Sequence, residues 1–432
     1  MTFKPNFDFL EELQWRGLLH DSIPGTDELL NKERVSAYIG FDPTADSLHI
    51  GNMVPIMLLT LFQKAGHQPI VLVGGATGRV GDPSGKTAER QLLDTDAIQR
   101  NLEGQKAQLM RFLDFEKGDN KAIVVNNYDW FKDWSFLDFI RDVGKHITVS
   151  YMMGKDSVKN RLEAGGLSFT EFTYQLVQGY DFLHLYREMG VKLQMGGSDQ
   201  WGNITTGTEL IRKTIQGDAY AITAPLVTKS DGTKFGKSEG GNVWLDANKT
   251  PVFSFYQFWL NIGDEDAVKF IKIYSLKSRL EIEELIKAHE GQEYLRSLQK
   301  ALAEEMTIRV HGEEALLLAQ KATQVFFGNG SEEDLRALDE ATLAASLEGM
   351  DTFNIQKEKV TEGINILDLL AVESTIFSSK GEARKMVQAN GFSLNKAKIS
   401  DVEYQISAAD VLHGRYIIAQ KGKKNYFVIA LI

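Results

Sequence analysis

At 432 residues the chain is too long for one ordinary domain, so its length predicts two or three domains. The composition, 43% hydrophobic and 25% charged, is that of a globular protein, and the absence of cysteine excludes disulfides and thiolate metal sites. The net charge of −11 argues against wholesale wrapping by nucleic acid. Because the sequence also lacks an apolar run long enough for a bilayer span, we expect a cytoplasmic protein without a membrane segment.

The first strong pattern is a strand followed by a helix. Residues 35–41 alternate between apolar and other side chains, as in a strand with one buried face, and Pro43 ends the strand because it has no N–H to give. The apolar run after Asn52 predicts a buried helix that stops at Gly66. Free backbone N–H groups and the helix dipole make this junction suitable for an anion, although it also fits a helix-capping loop with an incidental histidine. The candidate ligands here are Thr44, His49 and Asn52.

A Gly-rich loop follows the next predicted strand. Residues 69–73 are continuously apolar, as in a strand covered on both faces, and complete a βαβ unit that predicts a parallel sheet. Residues 74–87 do not match a P-loop, because position 80 is Val where that motif needs Gly. The glycines still let a ligand approach the backbone, and Lys86 and Arg90 are candidates for holding phosphates.

A further strand is predicted at residues 122–127, and it ends in Asn127. Polar residues at the carboxyl end of a parallel strand occupy the usual position of ligand groups, so Asn127 is a candidate site residue. We expect the aromatic residues 130–140 that follow to belong to the core or to a subunit interface.

Residues 168–182 predict a helix with three polar side chains on one face. Tyr174, Gln178 and Asp181 are spaced i, i+4, i+7, whereas their neighbours are mostly aromatic or aliphatic. Such a stripe is either solvated or lines a small polar pocket, and the apolar surroundings favour the pocket.

Two polar loops supply further candidates. Residues 194–203 are a Gly-rich turn carrying Asp199 and Gln200, groups that suit ribose hydroxyls or an ammonium. Residues 228–241 hold three lysines, and lysines in a mobile loop can close on a polyphosphate. The plain alternatives are an ordinary tight turn and a solvated basic loop.

From Ser278 the chain is predicted to be helical up to a break at residues 328–330, with one more helical stretch from Ser331 to about Leu347 and residues 349–362 as a linker. Residues 363–432 hold nine Lys or Arg against six Asp or Glu, a net charge of +3, so the remaining chain carries −14. This asymmetry indicates an RNA-binding module on an acidic protein. Its candidate RNA contacts are Lys380, Arg384, Lys385, Lys421, Lys423 and Lys424.

Together these motifs resemble the bacterial tyrosyl-tRNA synthetase family, within the class I aminoacyl-tRNA synthetases. Residues 38–52 resemble the family's HIGH signature region, residues 234–238 its KMSKS loop, and the final 70 residues its small RNA-binding domain. Asn52 replaces the second His of the first signature, and Phe235 and Gly236 replace Met-Ser in the second.

The resemblance implies both a fold and a reaction. The fold is α/β: a Rossmann-like doubly wound parallel sheet in a catalytic domain (residues 1–230), an α-helical domain with the lysine loop (231–348), and, after the linker, a small α+β RNA-binding domain (363–432). The implied reaction joins L-tyrosine to ATP, releases pyrophosphate and passes the tyrosyl group to tRNA. ATP would be a substrate that brings Mg²⁺ with it, no cofactor would be tightly bound, and the protein would form a homodimer.

The resemblance also implies roles for individual residues. Developing charge on the polyphosphate is assigned to Thr44, His49, Lys234 and Lys237, with Lys86 and Arg90 as auxiliary phosphate or tRNA contacts. ATP is further assigned to Gly40, Asp42, Asn52, Gly197 and Asp199. Tyrosine is assigned to Tyr38, Asp82, Asn127, Tyr174, Gln178, Asp181 and Gln200, with Tyr38 and Asp181 beside the phenol hydroxyl.

Three alternatives stay open from the sequence. A nucleotide hydrolase built on residues 74–87 would turn over ATP without an amino acid. An RNA-binding protein that keeps the synthetase fold but has lost the activity would show no tyrosine-dependent pyrophosphate exchange. Within the ligases, tryptophan is the nearest alternative substrate.

Overall fold

The computed structural model of the protein describes residues 3–84, 94–233, 235–238, 241–328, 330–348, 350–422 and 425–432, with the backbone alone at 237–238. By its internal contacts the chain divides into two units. The first comprises Met1–Lys249 and Phe258–Val310, and the second comprises Thr250–Gln257 and His311–Ile432. The domain boundaries predicted at residues 230, 348 and 362 do not coincide with this division.

A six-stranded sheet forms the centre of the first unit. Its strands are β1 Asp21–Ser22, β2 Ser36–Phe41, β3 Gln68–Val73, β4 Ile123–Asn126, β5 Leu193–Gly197 and β6 Tyr220–Ala224. The spatial order is β1-β6-β5-β2-β3-β4, in which β2 to β6 are parallel and β1 is an antiparallel edge strand. The predicted strands at residues 35–41, 69–73 and 122–127 are confirmed, as is the parallel sheet.

The strand order reverses at β2, and this opens a crevice. From β2 the chain continues outward to β3 and β4, whereas β5 and β6 lie on the other side. β2 pairs with β5 only at Ala37↔Leu193 and Tyr38↔Gln194, so the carboxyl ends of the two strands have no further ladder between them. A crevice at such a switch point is where ligands bind in open parallel sheets.

Fourteen helices are described up to residue 311. They are α1 Phe9–Arg16, α2 Thr26–Lys32, α3 Met53–Lys64, α4 Thr95–Leu109, α5 Tyr128–Phe131, α6 Phe136–Asp142, α7 Val149–Met153, α8 Asp156–Glu163, α9 Phe169–Met189, α10 Trp201–Ile215, α11 Val252–Leu260, α12 Asp264–Tyr274, α13 Arg279–His289 and α14 Ser297–His311. A short antiparallel pair, β7 Lys237–Ser238 and β8 Gly241–Asn242, precedes α11. The helix predicted after Asn52 is α3, nine of whose twelve residues are buried, as its apolar run requires.

The second unit combines helices with a mixed sheet. Its helices are α15 Glu313–Phe327, α16 Glu332–Arg336, α17 Glu340–Leu347, α18 Lys357–Thr361, α19 Ile366–Asp368 (continued by a π turn, Leu369–Glu373) and α20 Lys380–Gln388. The strands are β9 Asp351–Ile355, β10 Ile364–Asn365, β11 Phe392–Leu394, β12 Ala397–Lys398, β13 Gln405–Ile406, β14 Tyr416–Lys421 and β15 Asn425–Leu431. Five strands form one sheet in the order β12-β11-β14-β15-β9.

The two faces of this sheet pack against different cores, to which alternate residues of β14 and β15 contribute. Ile418 and Val428 pack with Phe326 and the other buried residues of α15 to α17, whereas Ile417 and Ile429 belong to the core around α20. The helices and the C-terminal strands therefore share a hydrophobic core within one unit.

Two expectations for this unit are corrected. The segment 349–362, expected as a linker, contains α18 and strand β9, which pairs in parallel with β15. A single exposed edge strand leaves no core-like periodicity in the sequence, since four of its five residues are not buried. The single helical stretch expected from Ser331 to Leu347 is two helices, because Asp339 accepts a hydrogen bond from the Thr342 amide and starts α17 anew.

Candidate active site

A cavity of about 1000 Å³ opens at the switch point of the first unit. It is lined by the carboxyl ends of β2 and β5, the start of α3 and one face of α9. The predicted site residues that line it are Tyr38, Gly40, Asp42, Thr44, His49, Asn52, Asp82, Tyr174, Gln178, Asp181, Gly197, Asp199 and Gln200. The polar pocket predicted from the face of the 168–182 helix is thus confirmed.

Two buried polar groups meet at the α9 side of the cavity. Tyr38 and Asp181 are each 1% exposed, and the Tyr38 hydroxyl has no hydrogen-bond partner among the described residues. Burial raises the pKa of the Asp181 carboxyl to about 8, although hydrogen bonds from Asn127 and Trp130 act in the opposite direction. Burial, and secondly Asp181, raise the pKa of Tyr38 well above its ordinary value. The pair therefore retains hydrogen-bonding capacity for a ligand that brings a hydroxyl.

The Asp181 carboxylate is held from behind by two side chains. Asn127 Nδ2 donates to Oδ2 at 3.0 Å, and Trp130 Nε1 donates to Oδ1 at 2.9 Å. Asn127 also accepts from the Ala76 amide at 2.6 Å and donates to Thr77 Oγ1 at 3.0 Å. Asn127, predicted to contact tyrosine, does not line the cavity but positions a residue that does.

Asp42 connects the strand end to α9. It accepts hydrogen bonds from the Tyr174 hydroxyl at 2.8 Å and from Thr77 Oγ1 at 2.7 Å. Gly74 permits this arrangement, because a Cβ there would overlap both Asp42 Oδ1 and Thr77 Oγ1. Asp42 therefore lies between the group of residues predicted for ATP and the group predicted for tyrosine.

A second polar cluster surrounds Asp82, a buried residue of the Gly-rich loop. Its Oδ2 accepts from Gln200 Nε2 at 2.8 Å, and its Oδ1 accepts from the Ser84 amide at 2.9 Å. Asn203 Nδ2 completes the cluster by donating to Gln200 Oε1 at 3.2 Å. The two predicted residues Asp82 and Gln200 are thus brought into direct contact.

His49 and Asn52 form the turn that begins α3. The His49 amide donates to Asn52 Oδ1 at 3.0 Å, and the His49 ring lies edge-on to Trp244 with centroids 5.6 Å apart. The segment that carries Trp244 lies along the turn, since the Ile50 amide donates to Val243 O and the Leu245 amide to Leu48 O.

The lysine loop is anchored by Phe235. Its ring is 6% exposed and lies 4.0 Å from Phe270, 5.3 Å from Phe258, 5.5 Å from Trp259 and 5.6 Å from Tyr274, measured between centroids. The next residue, Gly236, has φ +90°, and a Cβ on it would lie 2.8 Å from the Gly51 amide nitrogen. Lys86, Arg90 and Lys234 lie outside the described residues, and Lys237 is described only as backbone in β7.

The candidate RNA contacts of the second unit differ in their surroundings. Arg384 and Lys385 are exposed on α20. Lys380 forms an ion pair with Asp368, and Lys421 forms one with Glu382 at 3.0 Å while lying 4.2 Å from the centroid of Phe377. Lys423 and Lys424 lie outside the described residues.

Several cavity or supporting residues escaped the sequence analysis. Thr77, Gln194 and Asn203 lie in the two Gly-rich segments but were not singled out there, and Trp130 was expected only as core or interface. Gln194 lines the cavity and buries an Oε1 without a partner in the described part of the chain, as does Gln178. The position of Gln194 at the start of the Gly-rich segment 194–203, two residues before Gly196, was the one available signal.

Neither a metal site nor a membrane-spanning helix is found among the described residues. No group of three His, Asp or Glu side chains there is arranged to hold a metal ion. Of the helices that the structure describes, none combines the length and apolar character needed to cross a bilayer.

Comparison with known proteins agrees with this geometry. Residues 30–328 match the family described as "tRNA synthetases class I (W and Y)", and residues 342–429 match the "Tyrosine--tRNA ligase SYY-like C-terminal domain". The fold is therefore that of a class I aminoacyl-tRNA synthetase.

Similarity to individual proteins shows which family within this class the chain belongs to. The chain is 56% identical to the tyrosine–tRNA ligase of Bacteroides thetaiotaomicron and 57% to that of Porphyromonas gingivalis, in each case over 98% of this chain and 99% of the relative. A C-terminally truncated mitochondrial tyrosyl-tRNA synthetase from Aspergillus nidulans aligns with a TM-score of 0.65 at 32% identity, covering 74% of this chain and 94% of that one. The chain belongs to the tyrosine–tRNA ligase family, as its motifs predicted.

Proposed function

We propose that the protein activates L-tyrosine with ATP, giving tyrosyl-adenylate and pyrophosphate, and then transfers the tyrosyl group to the 3′ end of its tRNA. The observation that carries the choice of amino acid is the buried pair of Tyr38 and Asp181. A phenol hydroxyl can donate to Asp181 and accept from Tyr38, whereas phenylalanine would leave the Tyr38 hydroxyl unpaired and would give Asp181 no hydrogen bond beyond those from Asn127 and Trp130. Tryptophan offers no hydroxyl to such a pair.

In the first step the tyrosine carboxylate attacks the α-phosphorus of ATP, and the bond to the β-phosphate oxygen breaks as pyrophosphate leaves. The amino acid itself is the nucleophile, so the enzyme contributes positioning and stabilisation of developing charge. We assign that stabilisation to Thr44 and His49 at the start of α3, and to Lys234 and Lys237 of the loop. The docking of Gly236, Val243 and Leu245 along the His49 turn supports this grouping.

The ammonium and carboxylate groups of the bound tyrosine are assigned to different residues. The ammonium group is assigned to Asp82, Tyr174 and Gln178, because a carboxylate and two polar oxygens can accept its three hydrogens. The carboxylate side is assigned to Gln200, whose contact with Asp82 supports a position between the two ends of the amino acid.

The nucleotide end is assigned to residues at the two strand ends. Gly40 and Asp42 on β2, Gly197 and Asp199 after β5, and Asn52 would hold the nucleoside. Mg²⁺ would enter bound to the ATP phosphates, which supply the oxygen ligands it prefers. Lys86 and Arg90 are proposed as auxiliary phosphate or tRNA contacts.

The tRNA would be held by the basic surface of the second unit. Arg384 and Lys385 are the proposed direct contacts, and their exposure on α20 supports that role. Lys380 and Lys421 are each in an ion pair, so RNA phosphates would have to compete with Asp368 and Glu382 for them. Lys423 and Lys424 are proposed on charge alone.

We also propose a cytoplasmic homodimer. Its interface would include the apolar side chains that the first unit exposes on α6, α7 and α9, namely Phe136, Leu137, Ile140, Val149, Met153 and Phe169. An exposed apolar patch of this kind marks a protein interface in most globular proteins. The cytoplasmic location follows from the substrates, because ATP and tRNA are supplied there.

Pyrophosphate exchange measured with each of the twenty amino acids tests the proposal. Exchange should depend on tyrosine, with phenylalanine and tryptophan far weaker. ATP turnover without any amino acid would support a hydrolase instead. RNA binding without tyrosine-dependent exchange would indicate an RNA-binding protein that keeps the synthetase fold but has lost the activity.

A further inference from the structure

Helix α4 presents a row of amide side chains to the segment that carries Thr44. Asn101, Gln105 and Gln108 are spaced i, i+4, i+7 and so lie on one face of the helix. That face meets residues 42–48, which connect the end of β2 to the His49 turn. The mechanism proposed above gives α4 no role.

The amides bind the backbone of this segment directly. Asn101 Nδ2 donates to Pro43 O at 2.8 Å, and Gln105 Nε2 donates to Ala45 O at 2.9 Å and to Asp42 O at 3.4 Å. Gln108 acts in both directions, since its Nε2 donates to Ser47 Oγ at 2.9 Å and its Oε1 accepts from the Leu48 amide at 2.7 Å. The row therefore contacts the segment along most of its length.

Gly104 brings the helix close to the segment. A Cβ at this position would overlap the carbonyl oxygen and carbon of Asp46. Glycine inside a helix is less favourable than alanine by about 1 kcal/mol, so its place here has a steric reason. Because Gly104 has no Cβ, α4 can approach the segment this closely.

Gln105 also reaches the cavity itself. Its side chain lines the cavity and is 2% exposed, and its Oε1 has no hydrogen-bond partner in the described part of the chain. Its Nε2 is committed to carbonyl oxygens, which only a donor can satisfy.

We propose that Asn101, Gln105 and Gln108 are positioning residues for adenylate formation: α4 holds residues 42–48 so that Thr44 and His49 meet the ATP phosphates. This rests on the proposed function, because it presupposes that these residues bind the polyphosphate. A displacement of about 1 Å in such a group can lower a rate by roughly 100-fold. The tyrosine pocket should be much less sensitive, because Asp181 is held by Asn127 and Trp130 instead, and the Asp42 side chain that accepts from Tyr174 is also held by Thr77.

The two glutamines allow the same substitution to give opposite results. Gln108→Glu keeps an acceptor for the Leu48 amide, and the Ser47 hydroxyl, which donates to Leu48 O in the wild type, can rotate to donate to the new carboxylate, so this variant should stay within about threefold of wild type. Gln105→Glu places acceptors against carbonyl oxygens and should lower kcat/KM for ATP at least tenfold. Gln105→Met and Gln108→Met should both behave like Gln105→Glu, since neither can make these hydrogen bonds.

Three further variants separate the position of the segment from the stability of the protein. Gly104→Ala should raise helix propensity yet push the segment away, lowering kcat/KM for ATP at least tenfold. Gly381→Ala, where a Cβ meets only an ordinary contact at 3.8 Å, controls for the glycine change. Gln99→Met, on the same helix but bonded to Glu103 at 3.0 Å, controls for the loss of an amide.

The measurements are tyrosine affinity by equilibrium dialysis, adenylate formation in single turnovers across ATP concentrations, and unfolding midpoints. Support requires that the Gln105 variants lose the ATP-dependent step while the tyrosine Kd stays within twofold, and that Gln108→Glu is spared. The proposal is overturned if the Gln105 variants match Gln99→Met, or if tyrosine affinity falls as much as the ATP step. Absence of tyrosine-dependent exchange in the unsubstituted protein would instead refute the proposed function. If Gly104→Ala does not fold, the paired glutamine variants decide the question.

Discussion

The indole Nε1 of Trp130 lies 2.9 Å from Oδ1 of Asp181 and donates a hydrogen bond to it. Together with Asn127 it directs the carboxylate toward the cavity that Tyr38 also lines. If Tyr38 and Asp181 bind the phenol hydroxyl as proposed, the choice of amino acid also depends on Asn127 and Trp130, which hold Asp181.

Removing either polar group of the pair should weaken discrimination between tyrosine and phenylalanine. Tyr38→Phe deletes one partner of the phenol hydroxyl, and we expect kcat/KM for tyrosine to fall by about 1 to 2 kcal/mol, roughly 5- to 30-fold, with phenylalanine unaffected. Asp181→Ala should act in the same direction. Tyr404→Phe, which deletes a hydroxyl bonded to Asp410 in the second unit, is the control. Unchanged selectivity in both pocket variants would refute the assignment of the pocket.

Asp181 should make the ligand-free protein less stable as the pH rises. Its pKa is about 8 in the folded protein, against about 3.9 for an ordinary aspartate. Between these values the folded protein holds a proton that the unfolded chain releases, so the free energy of unfolding falls with increasing pH, by at most about 1.4 kcal/mol per pH unit. Asp181→Asn lacks this dependence.

Urea unfolding of wild type and Asp181→Asn at pH 4, 6 and 8 measures the effect. The advantage of the variant should grow steadily from pH 4 to pH 8. The value at pH 4, where the wild-type carboxyl is protonated in the folded protein, serves as the internal reference for packing. A difference that stays constant across this range would contradict the raised pKa.

Much of the first unit could be predicted from local patterns. The alternation before Pro43 and the apolar run after Asn52 correspond to β2 and α3, because both elements bury surfaces that leave a clear periodicity. The stripe of Tyr174, Gln178 and Asp181 was recognisable because polar side chains on one face of an otherwise apolar helix indicate a polar pocket. These patterns gave six of the residues that line the cavity, whereas Tyr38, Gly40, Asp42, Asp82 and Gly197 were assigned only from the family resemblance.

The remainder depends on tertiary contacts that no local pattern encodes. Asn127 was predicted as a ligand because it ends a strand, yet its amide is used between Thr77 and Asp181. β9 could not be recognised, since an edge strand with little buried surface has no periodicity of its own. The amide row of α4 looks like any polar helix face until the carbonyl groups opposite it are known.

Phe235 should be needed to hold the lysine loop in place. Phe235→Ala empties a site among four aromatic rings, and truncating a buried Phe costs about 3 to 5 kcal/mol where the surroundings do not collapse. We expect adenylate formation to slow at least tenfold in single turnovers, with little change in tyrosine Kd. Phe235→Met, which keeps most of the volume, should restore most of the rate. Equal losses in tyrosine binding would point to a general folding defect.

Charge reversal on α20 should impair tRNA charging without affecting activation. Arg384→Glu with Lys385→Glu should raise the KM for tRNA at least tenfold and reduce the salt dependence of binding, while pyrophosphate exchange is unchanged. Lys357→Glu, an exposed charge on α18, is the control. A rise in KM no larger than that of the control would remove α20 from the RNA surface.

Deleting residues 363–432 is a poorer test of the same idea. It would remove Leu412, Ile418 and Val428 from the core they share with Phe326 and the neighbouring helices. The remainder of the second unit should then lose stability, which is measurable as faster proteolysis within residues 311–362.

The apolar surface of α6 should be required for dimer formation. Leu137 is 76% exposed, and placing an aspartate there would bury a charge in the proposed interface, at a cost far above that of a surface change. We expect wild type to sediment as a dimer at micromolar concentration and Leu137→Asp to sediment as a monomer. Leu280→Asp makes the same change at a 66% exposed leucine of α13 and should remain dimeric. A monomeric wild type, or equal dimerisation of both variants, would refute an interface at α6, because only one of the two leucines lies on the proposed surface.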